Sequence, residues 1–389
     1  MKKTTAGIIS LYYNNYNYGG LLQAYALVAT LQEKNIEALQ IPFDRSGDRS
    51  PLLPTRMDRF KSNPVVFVKN FIGNKAAYVY KNIKYRSKEE QISPAITERN
   101  KAFKSFELTI PHTRVVNCSN VADLNKEFDV FICGSDQVWN PEQLRQAYLL
   151  SFVQTGKKKI SYAASIGRDK LNESEIKYIA DKISDFNAIS VREQQAKQML
   201  ADQVPLKVDL VLDPTLLRDA QEWEAIEKPY DIGEKYLLTY FLGDSKKQRE
   251  SVTKFAKNKG LKIVGFPHIL GEYRKNDEGF ADYEVYDADP AQFLYLIRNA
   301  EYVITDSFHA CVFSIIYEKK FLVFERDVKS KNQKMNSRIE TLLDLFGIRK
   351  RLADLNSIDT IDKDFEIDKS KFYRMKEDSI KFLERAVKG

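Results

Sequence analysis

Short apolar runs, rich in β-branched and aromatic residues, alternate with segments of helical period through most of this 389-residue chain. This alternation is typical of βαβ units, in which a helix connects two neighbouring parallel strands. The predicted strands form two sets, and the second set begins after the turn dipeptide Asp213-Pro214. The strands are predicted at residues 6–12, 38–43, 128–133, 159–164 and 188–191, and then at residues 236–241, 262–266, 302–305 and 321–324. We therefore expect an α/β protein with two doubly wound halves that face each other across a cleft.

The composition is that of a chain able to bury two separate cores, with 43% hydrophobic and 30% charged residues. We place an N-terminal domain at residues 1–205, a C-terminal domain at residues 206–360 and a helical tail at residues 361–389. Ligands of doubly wound folds bind beyond the carboxyl ends of the strands. Residues that directly follow the predicted strands are therefore the first candidates for a functional site.

No segment of the sequence predicts membrane insertion or a metal site. The first apolar stretch is short and interrupted by Tyr and Asn, unlike a signal sequence, and no apolar run approaches the ~20 residues that span a bilayer. The three cysteines, Cys118, Cys133 and Cys311, form no Cys-x-x-Cys pair, which is typical of a reducing compartment. We expect a cytoplasmic protein without a bound metal.

Residues 56–88 form a basic segment that departs from the alternating pattern. They contain nine Lys or Arg residues and one Asp, a local charge of +8 beside +7 for the whole chain. Apolar residues recur at the helical period, at Val65, Val68, Ile72, Ala76, Val79 and Ile83. Such a helix either packs its apolar stripe on the N-terminal domain and exposes its basic face, or contacts an anionic membrane surface. Nucleic acid is disfavoured as a partner because no nucleic-acid-binding motif accompanies the charge.

A polar turn joins the predicted strand at residues 302–305 to a helical segment that begins near His309. A strand that runs into a helix leaves unpaired backbone N–H groups at the turn, where an anion binds favourably. Ser307 and Phe308 occupy this turn, and His309 is one of only three histidines in the chain. An imidazole at an anion site is a candidate general acid or base. His268 follows another predicted strand and is a second-rank candidate.

Two strand ends in the N-terminal half also carry polar residues. The turn that contains Asn17 enters a helix, and its Asn and Gly residues either form the turn or bind sugar hydroxyls. Asp136 is a candidate to bind a hydroxyl or accept a proton, and its alternative role is to cap the following turn. Trp139 is a candidate to stack on a sugar ring, although an aromatic residue in this position is more often part of the core.

Two arginines are candidates to bind an anion. Arg192 follows a predicted strand, and a guanidinium matches a carboxylate or phosphate with two parallel hydrogen bonds; the alternative is an ion pair with Glu193 or a distant acid. Arg338 lies in the first turn of a predicted helix, where a positive charge opposes the helix dipole by ~0.3–1 kcal/mol. Its position therefore points to an anionic partner. Asp213, by contrast, is interpreted as a turn former that ends a strand.

These segments, in this order, resemble the polysaccharide pyruvyl transferase family. The matching segments are residues 17–27, 134–140, 190–193, 213–215 and 306–309. The resemblance implies two Rossmann-like halves arranged as in GT-B glycosyltransferases, and transfer of pyruvate from phosphoenolpyruvate to sugar hydroxyls as a ketal. It implies that His309 is the acid and that Arg192 helps to hold the donor, with Ser307 and Phe308 beside it.

One position departs from the pattern of some family members. They have Arg-Leu-His-Gly where this chain has Ser307-Phe308-His309-Ala310. The missing arginine implies that other cations contribute to donor binding. Arg338 is one candidate, and the basic loop with Lys329, Lys331 and Lys334 is another.

The resemblance implies a cytoplasmic pyruvyltransferase of surface-polysaccharide assembly, with phosphoenolpyruvate as donor substrate, no other cofactor, and a glycan as acceptor. Asn17, Asp136 and Trp139 are the acceptor-side candidates. If the glycan is lipid-linked, the basic helix at residues 63–84 would hold the enzyme at the inner face of the membrane.

Two alternatives stay open. One is a GT-B glycosyltransferase that uses a nucleotide sugar, which is disfavoured because Glu318 and Glu325 lack the spacing of the paired glutamates in retaining members. The other is a non-catalytic carbohydrate-binding protein with the same fold.

Overall fold

The computed structural model describes residues 3–326, 337–363 and 366–389. The strands of its N-terminal half are β1 (Thr5–Ile9), β2 (Glu37–Gln40), β3 (Val130–Cys133), β4 (Lys158–Ser161), β5 (Ile189–Val191) and β6 (Val208–Leu210). The first four form a parallel sheet in the order β2-β1-β3-β4. The parallel pair β5-β6 continues from β4 through isolated bridges between Ile160 and Ala188 and between Ala164 and Val191.

The C-terminal half contains a second sheet. Its strands are β7 (Tyr236–Tyr240), β8 (Lys262–Gly265), β9 (Tyr283–Glu284), β10 (Tyr302–Thr305), β11 (Lys320–Phe324) and β12 (Leu352–Ala353). They lie in the order β12-β11-β10-β7-β8-β9, and each neighbouring pair is parallel. The α/β fold with parallel sheets that the alternating pattern predicts is confirmed.

The first strand is shorter than predicted. The apolar run suggests a strand at residues 6–12, but β1 ends at Ile9. Leu11 and Tyr12 are buried in the turn that follows, at 7% and 1% exposed, so their apolar character reflects packing outside the sheet. This turn leads to the cleft described below.

The helices are α1 (Tyr18–Glu33), α2 (Arg56–Ser62), α3 (Pro64–Glu107), α4 (Glu173–Ile183), α5 (Gln194–Leu200), α6 (Ala220–Glu224), α7 (Lys246–Lys259), α8 (Pro290–Asn299), α9 (Phe308–Ile316), α10 (Ser337–Leu345) and α11 (Lys369–Lys388). Several begin at side chains that accept a hydrogen bond from a free backbone N–H group. Asn63 caps α3 in this way, and Pro64 lies in its first turn.

Helix α3 is much longer than the predicted basic helix, because it continues through Pro94 to Glu107. Arg99 is a reason for the extension, since its side chain is nearly buried and donates hydrogen bonds to four carbonyl groups of the C-terminal half. Those acceptors are the carbonyls of Pro267, His268, Val285 and Tyr286, at 2.9–3.3 Å. The polar sequence after residue 88 gives no sign of these distant acceptors.

The apolar stripe at the beginning of α3 does not pack on the N-terminal domain. Val65 is 77% exposed, Ile72 is 61% exposed and Ile83 is 75% exposed. The first of the two interpretations of residues 56–88 is therefore wrong for these three side chains, which face solvent.

The C-terminal helix α11 returns to the N-terminal sheet. Ser379 Oγ accepts a hydrogen bond from the backbone N–H of Leu212 at 3.0 Å, and the Lys158 Nζ donates to the carbonyl of Val387 at 3.3 Å. The chain passes from the first sheet to the second between the end of β6 and the start of β7. The predicted domain limits at residues 205 and 360 stay predictions.

The structure leaves part of the predicted basic loop undescribed. Lys329, Lys331, Lys334 and Asn336 lie outside the described residues. Among the helices of the described ranges, none combines the length and the apolar character needed to cross a membrane.

Candidate functional site

A cleft of about 400 Å³ lies between the two halves. The residues that line it follow the carboxyl ends of strands in both sheets, which is where doubly wound folds bind ligands. From the N-terminal half these residues are Leu11, Asn15, Asn17, Arg45, Asp136, Gln137, Asn140, Glu142 and Gln143. From the C-terminal half they are Leu242, Ser307, Phe308, His309, Arg326 and Arg338.

His309 lies in the first turn of α9 at the edge of the cleft, and its side chain is 8% exposed. Its Nε2 atom has no hydrogen-bond partner among the described residues and lies 3.8 Å from Oδ2 of Asp213. Its Nδ1 atom packs against the start of α1, where a Cβ atom added to Gly19 would lie only 1.8 Å away. A glycine at position 19 therefore allows the imidazole of one half to rest on the helix of the other.

Asp213 is the acid beside this imidazole, and it is 2% exposed. Its Oδ2 accepts hydrogen bonds from Arg192 Nη1 at 2.6 Å and from Ser135 Oγ at 3.0 Å. Its Oδ1 accepts two more, from the backbone and the hydroxyl of Thr215, at 3.0 and 2.7 Å. The carboxylate is thus held on both oxygens, and its Oδ2 is presented to His309.

Arg192 is surrounded by acids, and its side chain is 1% exposed. In addition to Asp213, it pairs with Asp136 at 3.3 Å and with Glu193 at 3.2 Å. The Phe308 ring packs under the guanidinium, 4.8 Å from its centre. The structure thus contains the ion pair with Glu193 that was the alternative for this residue.

The charges of this network stabilise one another. Burial by itself would raise the pKa of Asp213, but its interactions with His309 and Arg192 outweigh burial and hold that pKa well below its usual value. Burial by itself would lower the pKa of Arg192, but the charges of Asp213, Glu193 and Asp136 raise it above its usual value. Both groups are therefore ionised at neutral pH.

Arg338 is the contrasting arginine of the cleft. It is 6% exposed, and among the described residues its Nε has no hydrogen-bond partner. Burial, followed by the positive charges of Arg192 and Arg326, lowers the pKa of Arg338 to about 10. The guanidinium is still charged at neutral pH, and an anion in the cleft would relieve its unfavourable environment.

Arg326 adds a second cation to the same wall. Its Nη2 donates to the carbonyl of Asp306 at 3.2 Å, and its Nε lies 3.8 Å from the Asp306 carboxylate. That carboxylate already accepts hydrogen bonds from the backbone N–H groups of Leu242 and Gly243, both at 2.7 Å. Arg326 is therefore only loosely neutralised and adds positive charge to the cleft beside Arg338.

Four more of the predicted residues line the cleft. Asn17 caps α1 by accepting a hydrogen bond from Gly20 N at 3.3 Å, and Ser307 caps α9. Asp136 has a positive φ of 70°, and Phe308 packs on Arg192. Asn17 and Asp136 belong to one wall, whereas Ser307 and Phe308 belong to the other.

Two predicted residues lie away from the cleft. The Trp139 side chain is 0% exposed in the core, and its Nε1 donates to the carbonyl of Tyr148 at 3.3 Å. His268 is 4% exposed, its Nδ1 accepts a hydrogen bond from Arg274 N at 3.0 Å, and burial lowers its pKa. We leave both residues out of the proposed site.

Sequence reasoning missed the role of Asp213 and the polar residues Asn15, Gln137 and Asn140 of the cleft. The Asp-Pro dipeptide marked Asp213 as a turn former, which is consistent with its hydrogen bonds to Thr215. Its partners Arg192 and Ser135 are 21 and 78 residues away in sequence. No local pattern indicates pairs at such separations.

The arrangement as a whole is chemically suited to bind an anion beside a group that can donate or accept a proton. Arg326 and Arg338 provide positive charge, and His309 provides a titratable nitrogen beside a fixed carboxylate. Within the described residues, no group of three or more His, Cys, Asp or Glu side chains is arranged to hold a metal ion.

Comparison with known families shows which family this chain is related to. The family model described as polysaccharide pyruvyl transferase matches residues 17–328, well over half of the chain. The chain belongs to the polysaccharide pyruvyl transferase family. The matched region contains Asn17, Asp136, Arg192 and His309, whereas Arg338 lies beyond its end. The resemblance seen in the sequence is confirmed, and a search of the curated proteins finds no match.

Solved structures similar to this family member include two UDP-GlcNAc 2-epimerases. The enzyme from Methanocaldococcus jannaschii, in complex with UDP-GlcNAc and UDP, is 12% identical with a TM-score of 0.55, covering 98% of this chain and 99% of its own. The enzyme from Neisseria meningitidis, bound to UDP-GlcNAc, is 12% identical with a TM-score of 0.53, covering 99% and 100%. At this identity the similarity shows the fold alone, and it confirms the GT-B-like arrangement of two Rossmann-like halves.

The contact between Gly19 and His309 predicts the effect of one added methyl group. Gly19→Ala would place a Cβ atom inside the imidazole, so the ring must move. We expect the resonances of the His309 imidazole to shift in the NMR spectrum. The chain contains three histidines, and the signal that disappears in a His309→Asn variant is assigned to His309. Gly73→Ala is the matched control, since it is also a helical glycine and a Cβ atom there meets nothing within 4 Å. An unchanged His309 signal in Gly19→Ala would contradict the contact.

The lowered pKa of Asp213 predicts a pH dependence of stability. Its carboxylate stabilises the fold above the unfolded pKa of about 3.9, and the stabilisation is lost as pH falls toward the lower folded pKa. We expect Asp213→Asn to reduce the free energy of unfolding at pH 7 by about 3–5 kcal/mol, because Arg192 loses a buried partner.

The same variant should lose less stability than the wild type between pH 5 and pH 3, as measured by urea denaturation. Asp202→Asn removes an exposed carboxylate and is the control. Equal pH slopes for Asp213→Asn and the wild type would show that Asp213 does not contribute in this way.

Proposed function

We propose that this protein transfers the pyruvyl group of phosphoenolpyruvate to hydroxyls of a sugar in a polysaccharide precursor, forming a pyruvate ketal. One observation supports the proposal most directly: buried Arg338 and His309 line the same cleft, and among the described residues neither Nε of Arg338 nor Nε2 of His309 has a hydrogen-bond partner. The first can bind an anionic donor, and the second can move a proton. Membership of the polysaccharide pyruvyl transferase family supports the same reaction.

The donor carries a phosphate and a carboxylate, so it needs more than one cation. We assign this role to Arg338 and Arg326, which lie on the same wall as Ser307. Ser307 stands where some family members have an arginine, and these two side chains supply the missing positive charge. The N-terminus of α9 adds backbone N–H groups that favour an anion.

Arg192 receives a different role from the one that the resemblance implies. Its guanidinium is buried and already pairs with Asp213, Asp136 and Glu193. In the proposal it positions Asp213 beside His309 and does not contact the donor. Asp213 in turn places a fixed negative charge beside the imidazole, since its Oδ2 lies 3.8 Å from Nε2 of His309.

The proton of the His309 imidazolium goes to the methylene carbon of phosphoenolpyruvate, which becomes a methyl group. A sugar hydroxyl attacks the neighbouring carbon, which has become electron-poor. A second hydroxyl of the same sugar then displaces phosphate from that carbon and closes the ketal. Of the two hydroxyl protons, one restores His309 and the other leaves with phosphate.

The acceptor sugar is assigned to the opposite wall. Asn15, Asn17, Gln137 and Asn140 line it with amide groups, and Asp136 adds a carboxylate oxygen. Amide and carboxylate groups are suited to donate to and accept from sugar hydroxyls. The two substrates would thus meet at His309, between the two halves.

Donor binding tests the role of Arg338. We expect Arg338→Met to weaken binding of phosphoenolpyruvate by roughly 10-fold to 100-fold, because a hydrogen bond to a charged group contributes about 1.5–3 kcal/mol. Titration calorimetry measures this, and Arg349→Met is the control because Arg349 lies near the same helix but its side chain is 52% exposed. Stabilisation of the wild type by UDP-GlcNAc and not by phosphoenolpyruvate, read by thermal shift, would instead favour a nucleotide-sugar glycosyltransferase.

Turnover tests the role of His309. We expect His309→Asn to bind phosphoenolpyruvate but to release phosphate about 100-fold to 10,000-fold more slowly with a glycan acceptor, the range for loss of a general acid. The assay uses a panel of galactose-, mannose- and glucose-type glycans and detects phosphate and the added mass of pyruvate. His112→Asn is the matched control. If the wild type releases no phosphate with any acceptor, the protein is a carbohydrate-binding homologue without the reaction.

A further inference from the structure

The arm of this protein, which we define as residues 56–88, exposes most of the large apolar side chains on the described surface. Nine of the 15 exposed large hydrophobic residues of the described ranges lie within it. They are Met57, Phe60, Val65, Val66, Val68, Phe71, Ile72, Tyr80 and Ile83. An apolar surface concentrated in this way is typical of an interaction site.

The exposed apolar residues of the arm are ordered and not scattered. Helices α2 and α3 meet through aromatic rings, with Phe60 and Phe67 at 5.7 Å and Phe67 and Phe71 at 6.3 Å between ring centroids. Along α3, the helical period places Val65 and Ile72 on one face. The same period places Lys69 and Lys75 on either side of this face, and both lysines are exposed. The arm therefore presents an apolar stripe between rows of positive charge.

The charge of the arm favours one kind of partner. The arm carries +8 while the whole chain carries +7, so the rest of the chain has a net charge of −1. Two arms packed against each other would bring two such charges together, which is unfavourable. The partner is therefore expected to be both anionic and able to accept apolar side chains.

We infer that the arm binds the surface of an anionic phospholipid membrane. Its apolar stripe lies at the boundary between headgroups and acyl chains, and the flanking lysines extend to the lipid phosphates. Each lysine near such a surface adds to the attraction, and added salt weakens it.

The attachment of the arm to the cleft explains how a membrane contact would serve the protein. The later part of α3 is fixed to the C-terminal half by Arg99 and by the ion pair between Lys88 and Glu278 at 2.6 Å. Its last residue, Glu107, accepts a hydrogen bond from the backbone of Asn14 at 2.9 Å, in the turn that lines the acceptor wall. The part of the arm in α3 therefore belongs to the same helix that supports that wall. This step rests on the proposed function, and it names a lipid-linked sugar as the acceptor class.

Flotation with vesicles tests the membrane contact without any substrate. The wild type should float with vesicles of equal phosphatidylglycerol and phosphatidylcholine, and not with phosphatidylcholine alone. The triple variant Lys69→Gln, Lys75→Gln and Lys84→Gln should partition about 100-fold more weakly, because each lysine contributes about 1 kcal/mol. The control variant Lys207→Gln, Lys246→Gln and Lys381→Gln has the same net charge, with side chains 79%, 74% and 66% exposed, and should bind like the wild type.

A second variant tests the apolar stripe. Phe71→Ser with Ile72→Ser leaves the charge unchanged and should reduce the fraction that stays bound at high salt. Equal binding of the arm triple variant and its control would overturn the inference, as would a wild type that does not float. If the wild type binds no vesicles but sediments as a dimer, and the Phe71→Ser, Ile72→Ser variant sediments as a monomer, the partner of the arm is a second copy of this chain. Vesicle binding does not depend on phosphoenolpyruvate, so failure here leaves the proposed reaction intact.

Discussion

The buried ion pair between Asp213 and Arg192 is the contact on which the rest of the cleft depends. A charge of either sign buried alone costs several kcal/mol, so each group needs the other in place. Their bond joins the end of β5 to the turn that follows β6, and Ser135 and Asp136 add the end of β3. His309 then approaches this group from the C-terminal half. The network of Asp213 and Arg192 thus connects the ends of β3, β5 and β6, and it lies beside His309 of the C-terminal half.

Two buried arginines, Arg192 and Arg338, have the same exposure but different roles, because among the described residues only Arg192 is paired with neighbouring acids. Arg192 and Arg338 are each 6% exposed. Arg192 has three acids within 3.3 Å. Arg338, by contrast, has no partner for its Nε in the described part of the chain, and burial is the first cause that lowers its pKa to about 10. The first arginine is already neutralised and is suited to hold structure. The second is held in an unfavourable environment that a bound anion would correct, which is the physical basis for assigning it to the donor.

Strand ends were a useful but incomplete guide to the site. His309, Asp136 and Asn17 follow strands and do line the cleft. Trp139 and His268 also follow strands, yet their side chains turn into the core. The rule locates the edge of the sheet but not the direction of each side chain, because that direction depends on turn geometry and on neighbours from distant segments. The exposed stripe of α3 shows the same limitation of local patterns. Its period predicts a helix, but it does not predict whether the apolar face packs on the protein or faces solvent.

The sequence alone determined the class of fold, because strand and helix periods are local properties and their alternation leaves few alternatives to parallel sheets. It also determined which residues lie at the carboxyl edges and that residues 63–84 belong to a basic helix. Only the tertiary structure decided which charges neutralise each other. Arg192 finds Asp213 at a separation of 21 residues, and Gly19 receives the His309 ring from the other half of the chain. Such pairs depend on how the two sheets are placed in space, and no periodicity in the chain records that placement.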